Sequence, residues 1–124
     1  MIDPLSQSSE LYRQGRELME KGQLEEAVSF FQQSIALSPH FKTLELLGES
    51  LIRLNRLKEA LVPLAAATTL NKGVRAPSLL ADVLLKLEDH NGAHEVAGIA
   101  LSRDPNNRMA LNAKKVAISI IGDA

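Results

Sequence analysis

The stretch GQLEEAVSFFQQSIALSP, Gly22 to Pro39, opens on a glycine and closes on a serine-proline pair. Between them Leu24, Ala27, Val28, Phe31 and Ile35 recur at spacings of three and four, the period of a helix with one apolar face. The pattern returns twice, in NRLKEALVPLAAATTLNK (Asn55–Lys72) and EDHNGAHEVAGIALSRDP (Glu88–Pro105). Ala27, Ala60 and Ala93 fall 33 residues apart. Phe31, Leu64 and Ala97 keep the same phase, as do Ser34, Ala67 and Ala100. Pro39 and Pro105 close the first and third copies, and Lys72 stands where a second proline would be.

The intervening segments repeat as well. Leu11 aligns with Leu44; Gln14 with Leu47 and Leu80; Gly15 with Gly48 and Ala81; Leu18 with Leu51 and Leu84. Each copy therefore reads as a helix, a short turn and a second helix. The small residues at Gly15, Gly48, Ala81 and at Ala27, Ala60, Ala93 suit the close crossing of two helices, which a larger side chain would hold apart. Asp3-Pro4 reads as an N-cap followed by proline at the first helical position. Gly22 and Asn55 fall at turns that want a left-handed residue. Pro77 falls in the first turn of the fifth helix, where its missing N–H costs little. Pro63 lies about two turns inside the fourth helix. It reads either as a kink that adjusts curvature or as a source of a free carbonyl near Glu59 for a ligand.

These positions resemble the tetratricopeptide repeat over about residues 8–107. LELLGESL (44–51) and EEAVSFFQQSIALSP (25–39) match its pattern best, although the period is 33 rather than the usual ~34. Ankyrin repeats share the 33-residue period, but their Thr-Pro-Leu-His signature is missing and these helices are longer. The resemblance implies an all-α fold. It would be a right-handed α-solenoid of three helix-turn-helix hairpins plus a C-terminal capping helix, seven helices in one domain over 1–124. The repeats would span about 8–40, 41–73 and 74–106, and the capping helix about 107–121.

Composition narrows the function. Fourteen Lys and Arg against fifteen Asp and Glu leave a net charge of −1, which offers no concentrated basic surface for nucleic acid or an anionic membrane. Without cysteine there is no disulfide, thiolate nucleophile or Cys-based zinc site. MIDPLSQSSE lacks the basic and apolar regions of a signal peptide, and no apolar run approaches the ~18 residues of a membrane span, so the cytoplasm is the expected compartment. His90 and His94 are four apart on one helix. Asn91 follows His90 where a zincin motif needs Glu, so no metal is expected. Nothing supplies a nucleophile beside a base, a phosphate loop or a paired-carboxylate site, and the expectation is a non-catalytic protein without a cofactor.

The resemblance also implies a concave groove, lined by the first helix of each hairpin, that takes a peptide or helix of a partner. The matching positions are Ser9, Tyr12, Arg13, Arg16 and Met19; then Lys42, Glu45, Leu46, Glu49, Ile52 and Arg53; then Arg75, Ser78, Leu79, Asp82 and Leu85. Of these, Tyr12, Arg16, Glu45, Leu46, Glu49, Arg75, Leu79 and Asp82 are the candidate peptide-binding set. The alternative is that these are solvated helix faces. A subgroup of the family holds acidic chaperone tails with a carboxylate clamp of Lys and Asn, then Asn, then Lys and Arg. The clamp positions here hold Tyr12, Arg16, Leu46, Arg75 and Leu79. Only Arg75 keeps the charge required at its place, so the sequence does not predict a chaperone-tail receptor.

In the last helix, Met109, Ala110, Ala113, Val116, Ala117, Ile120 and Ile121 cover a broad arc that Leu111 and Ile118 extend and Lys114 interrupts. The arc is wider than the ~100° that contact with one neighbour needs. This leaves three readings: a second copy of the chain in a symmetric homodimer centred on Leu111, Ile118 and Ile121, a following repeat, or a frayed terminus. Self-association or docking within a larger complex is accordingly the second reading of function.

Overall fold

A computed structural model describes residues 3–122. They form seven helices and no strand: α1 (Pro4–Glu20), α2 (Leu24–Leu37), α3 (Phe41–Arg53), α4 (Leu57–Leu70), α5 (Arg75–Lys86), α6 (His90–Arg103) and α7 (Arg108–Ile121). Helices adjacent in sequence pack on one another throughout. In addition α1 touches α3, α3 touches α5 and α5 touches α7, so the odd-numbered helices lie side by side in a solenoid of stacked hairpins.

The start of the chain follows its residues. The Asp3 carboxylate accepts the backbone N–H of Ser6 at 2.8 Å, and Pro4 occupies the first helical position. This satisfies one of the orphan donors of the first turn. The three hairpin turns are the same structure repeated at 33-residue intervals. Gly22, Asn55 and Glu88 have φ of +78°, +59° and +64°. After each, the next N–H reaches back to a carbonyl five residues earlier: Gln23 to Leu18, Arg56 to Leu51 and Asp89 to Leu84, at 2.8–2.9 Å. This is the Schellman ending, whose left-handed residue suits Gly and tolerates Asn. Glu88 holds the third place with no such preference.

The in-phase positions of the second helices form the centre of the core. Ala27, Ala60, Ala93, Phe31, Leu64, Ala97, Ser34, Ala67 and Ala100 are all fully buried. Phe31, Val28, Leu47, Leu51, Leu64, Leu80 and Val83 build one apolar cluster across the hairpins. The third hairpin and α7 instead meet through Ala81, Ala97, Ala100, Ala110 and Ala113. Without bulk at these places, the helices obtain contact by approaching closely. Pro63 is buried midway along α4, which continues to Leu70.

The small residues of the first helices mark the closest crossings. A Cβ on Gly15 would lie 2.6 Å from Cε1 of Phe31, and one on Gly48 would lie 2.6 Å from Cδ2 of Leu64. Gly98, in the middle of α6, has nothing within 4 Å of that position. Alanine should act oppositely at these sites. Gly98→Ala should gain about 0.5–1 kcal/mol from reduced backbone entropy. Gly48→Ala should lose about 1–2 kcal/mol, because overpacking outweighs the same gain. Urea unfolding followed by circular dichroism measures both, and equal signs at the two sites would contradict the packing argument.

Candidate functional site

The face shared by α1, α3 and α5 brings together most of the groove positions. On α1, Tyr12 is half-buried and tilts against Phe31, with ring centroids 6.3 Å apart. The Arg16 guanidinium lies 5.9 Å from the Tyr12 ring centroid, a cation–π distance, and approaches Glu20 at 4.0 Å. Arg13 is bound within its own helix to Glu10 and Glu17. Arg16, Met19 and Glu20 line a cleft of about 330 Å³ with Leu46 and Arg53 of α3, so the first two hairpins do share a depression. A separate cleft of about 280 Å³, lined by residues that include Ser9, Tyr12 and Lys42, lies by the start of α3.

The centre of the face is electrostatic. Glu49 pairs with Arg75 of α5 at 2.8 Å and with Arg53 of its own helix at 3.2 Å, tying the second hairpin to the third. Glu45, one turn before it, is buried. Burial pushes its carboxyl above the usual carboxylate range, with Glu49 adding to the rise and Arg75 and Lys42 pulling the other way. Asp82 does not join this group; it pairs with Lys86, one turn along α5, at 3.0 Å.

Three of the expected groove residues are more enclosed than their positions implied. Met19, Glu45 and Ser78 are buried, and Ser78 donates its hydroxyl to the Arg75 carbonyl at 2.9 Å. Met19 belongs to the main apolar cluster of the core. Tyr12, Leu46, Ile52 and Leu79 pack against the core while staying partly exposed, which leaves a shallow apolar strip. Ser9, Lys42 and Arg53 are exposed, and Leu85 is half-buried.

On α7, Leu111 and Ile121 are exposed and Ile118 is half-buried, while Ala110, Ala113 and Ala117 are the residues turned into the fold. Among the described residues no group of three or more His, Cys, Asp or Glu is placed to hold a metal ion, and no helix is long and apolar enough to cross a membrane. One residue with a clear structural role carried no signal in the sequence. Arg103, at the end of α6, donates to three carbonyls, one in the last turn of α4 and two in the loop that follows it.

The family model described as Tetratricopeptide repeat matches residues 8–41, the first hairpin and the approach to the second. No curated protein sequence matches the chain. Among solved structures, the first such domain of Spaghetti (RPAP3), bound to the HSP90 peptide SRMEEVD, is 18% identical with a TM-score of 0.85, over 94% of each chain. The Arabidopsis OM64 domain is 19% identical with a TM-score of 0.85, over 94% of this chain and 98% of that one. YrrB, a repeat protein with an unusual peptide-binding site, is 21% identical with a TM-score of 0.82, over 90% of this chain and 59% of that one. At these identities the likeness establishes the fold.

Proposed function

We propose that this tetratricopeptide-repeat chain is a non-catalytic protein-interaction module that binds a peptide or a helix of a partner in the groove of α1, α3 and α5. The observation that carries the reading is the cleft between α1 and α3, where Leu46 offers apolar contact between the cations Arg16 and Arg53. Leu79, at the position of Leu46 in the next hairpin, extends the apolar strip onto α5. Likeness to domains that hold peptides adds support from outside the chain.

The ligand differs from an acidic chaperone tail. A clamp for such a tail needs cations free to meet a carboxylate. Here Arg75 is engaged by Glu49 at 2.8 Å, Arg16 lies over Tyr12, and buried Glu45 adds an acid beside Arg75. The places where the clamp uses amides hold Arg16 and Leu46, and its remaining basic places hold Tyr12 and Leu79. An apolar segment with charges of both signs around it fits this surface better.

Selection from a displayed peptide library tests the reading. Enriched peptides should bind the wild type and lose at least ~30-fold in affinity, about 2 kcal/mol, with the Leu46→Glu, Leu79→Glu variant, whose helicity stays unchanged. Retained affinity would move the site off this face. In the same titration SRMEEVD should show no micromolar binding; if it binds, and Arg75→Ala removes that binding, the clamp reading holds instead.

A further inference from the structure

The two ends of the solenoid carry uncovered apolar surface of opposite charge, and their chemistry points to each other. At the C-terminal end, Lys114 stands 33 residues after Ala81 and so continues the series Gly15, Gly48, Ala81. At the first two of those positions even a Cβ would meet the second helix of the hairpin at 2.6 Å. A lysine there bars a further helix from docking on α7 in the register used by the earlier hairpins. The residues around it, Leu111, Ile118 and Ile121, nevertheless present apolar surface, with Leu111 46% and Ile121 39% exposed. At the N-terminal end, Gln14 stands where Leu47 and Leu80 are buried in the later hairpins. Beside it Leu11 and exposed Leu37 line a shallow apolar depression with Glu10. Glu17, Glu26 and half-buried Phe30 line the next one along.

Charge decides how these surfaces pair. The depressions on the outer face of the first hairpin are lined by three acids, Glu10, Glu17 and Glu26, against one base, Lys21. Arg13 binds Glu10 and Glu17 within α1, and Glu20 and Glu25 turn to Arg16 and Arg56. Helix α7 carries Arg108, Lys114 and Lys115 and no acid. A symmetric pair through α7 would bring those three cations against their own copies, and a symmetric pair through the first hairpin would oppose carboxylates. Head-to-tail contact joins unlike charges around apolar centres at both ends.

We propose that copies of this chain associate end to end, α7 of one copy seated on the outer face of the first hairpin of the next. This contact is independent of the groove. It is heterologous, so it does not close at two copies and generates an open series unless the rotation forms a ring.

The test is analytical ultracentrifugation of the full chain over a wide concentration range. The average mass should rise with concentration past the dimer. It should fall when salt is raised from ~0.05 to ~0.5 M, which shortens the screening length below the span of such contacts. Two blocked variants then separate the alternatives. Leu111→Gln with Ile118→Gln removes the C-terminal surface; Leu37→Gln with Glu26→Gln removes the N-terminal one. Each alone should stay monomeric with unchanged helicity. Mixed in equal amounts they should form a dimer that grows no further, because one intact surface of each kind remains in the mixture. That outcome also shows that both variants are folded. A wild type monomeric at all concentrations overturns the proposal, as does a mixture that stays monomeric. So does an α7-blocked variant that is monomeric while the other still dimerises, which would mean a symmetric α7 pair.

Discussion

Phe31→Ala should cost about 3–5 kcal/mol, the range for emptying a fully buried aromatic site. A chain of this kind has about 5–15 kcal/mol in all, so the loss takes a large share of it. Phe31 has no exposed surface, packs with Met19, Ala27 and Val28, and rests its ring edge over Gly15. Glycine at that position allows the ring to lie against the α1 backbone, so position 15 offers no side chain to fill the vacated space. The cavity should therefore collapse poorly and the effect should fall in the upper part of the range. Because hairpins stabilise one another mainly through nearest neighbours, the damage should begin at the first hairpin. Amide hydrogen exchange should accelerate most in α1 and α2, ahead of α5 and α6. Urea unfolding of the variant gives the magnitude. A loss below ~1 kcal/mol would mean that α1 and α2 close over the gap, and the account of the Gly15 crossing would fail with it.

The repeat was legible because its determinants are local and periodic. The 33-residue phase, the cap at Asp3-Pro4 and the left-handed turns at Gly22 and Asn55 are each written in residue types that the backbone requires there. The third turn was not legible from its residue. Glu88 adopts a φ of +64° because the Schellman closure between Leu84 and Asp89 imposes it, against the ordinary preference of a side chain with a Cβ. Position in the repeat predicts that turn where residue identity does not.

The face shared by α1, α3 and α5 was legible as a set of positions and not as a surface. Whether Glu45 is buried or Leu46 partly open depends on which flank of α3 its neighbours cover, a matter of tens of degrees that a pattern of threes and fours does not resolve. The pairing of Glu49 with Arg75 spans 26 positions and requires α3 and α5 to be placed before it can be seen. The breadth of the apolar arc on α7 was legible, but the depth of its burial was not. Alanines at 110, 113 and 117 carry α7 against the third hairpin and leave the larger Leu111 and Ile121 outside. An arc counted only as apolar gives equal weight to residues of different size, and small ones are preferred where helices approach closely.

Arg103→Met should cost about 1.5–3 kcal/mol, the range for hydrogen bonds made by a charged group. Nη1 of Arg103 donates to the carbonyls of Asn71 and Gly73 at 3.0 and 2.9 Å, and Nη2 to that of Thr68 at 3.2 Å. Thr68 lies in the last turn of α4, and Asn71 and Gly73 lie in the loop to α5, so these carbonyls lack the helical partners that interior ones have. This is also the junction where Lys72 replaces the proline that ends the first and third copies. The stiffness that proline would give the connection is supplied from the following hairpin by one guanidinium. The same place in the earlier copies holds Leu37 and Leu70, which make no such bonds, so this contact belongs to this junction and not to the repeat. Methionine keeps the unbranched stem and removes every donor. Lysine restores one charge without the planar fork and should recover less than half of the loss. Beyond the fall in unfolding free energy, amides in the first turn of α5 should exchange faster while those of α1 and α2 keep their rates. A Met variant as stable as the wild type, with unaltered exchange at Ala76 and Ser78, would show that water satisfies these carbonyls equally well and that the guanidinium does not hold the second hairpin to the third.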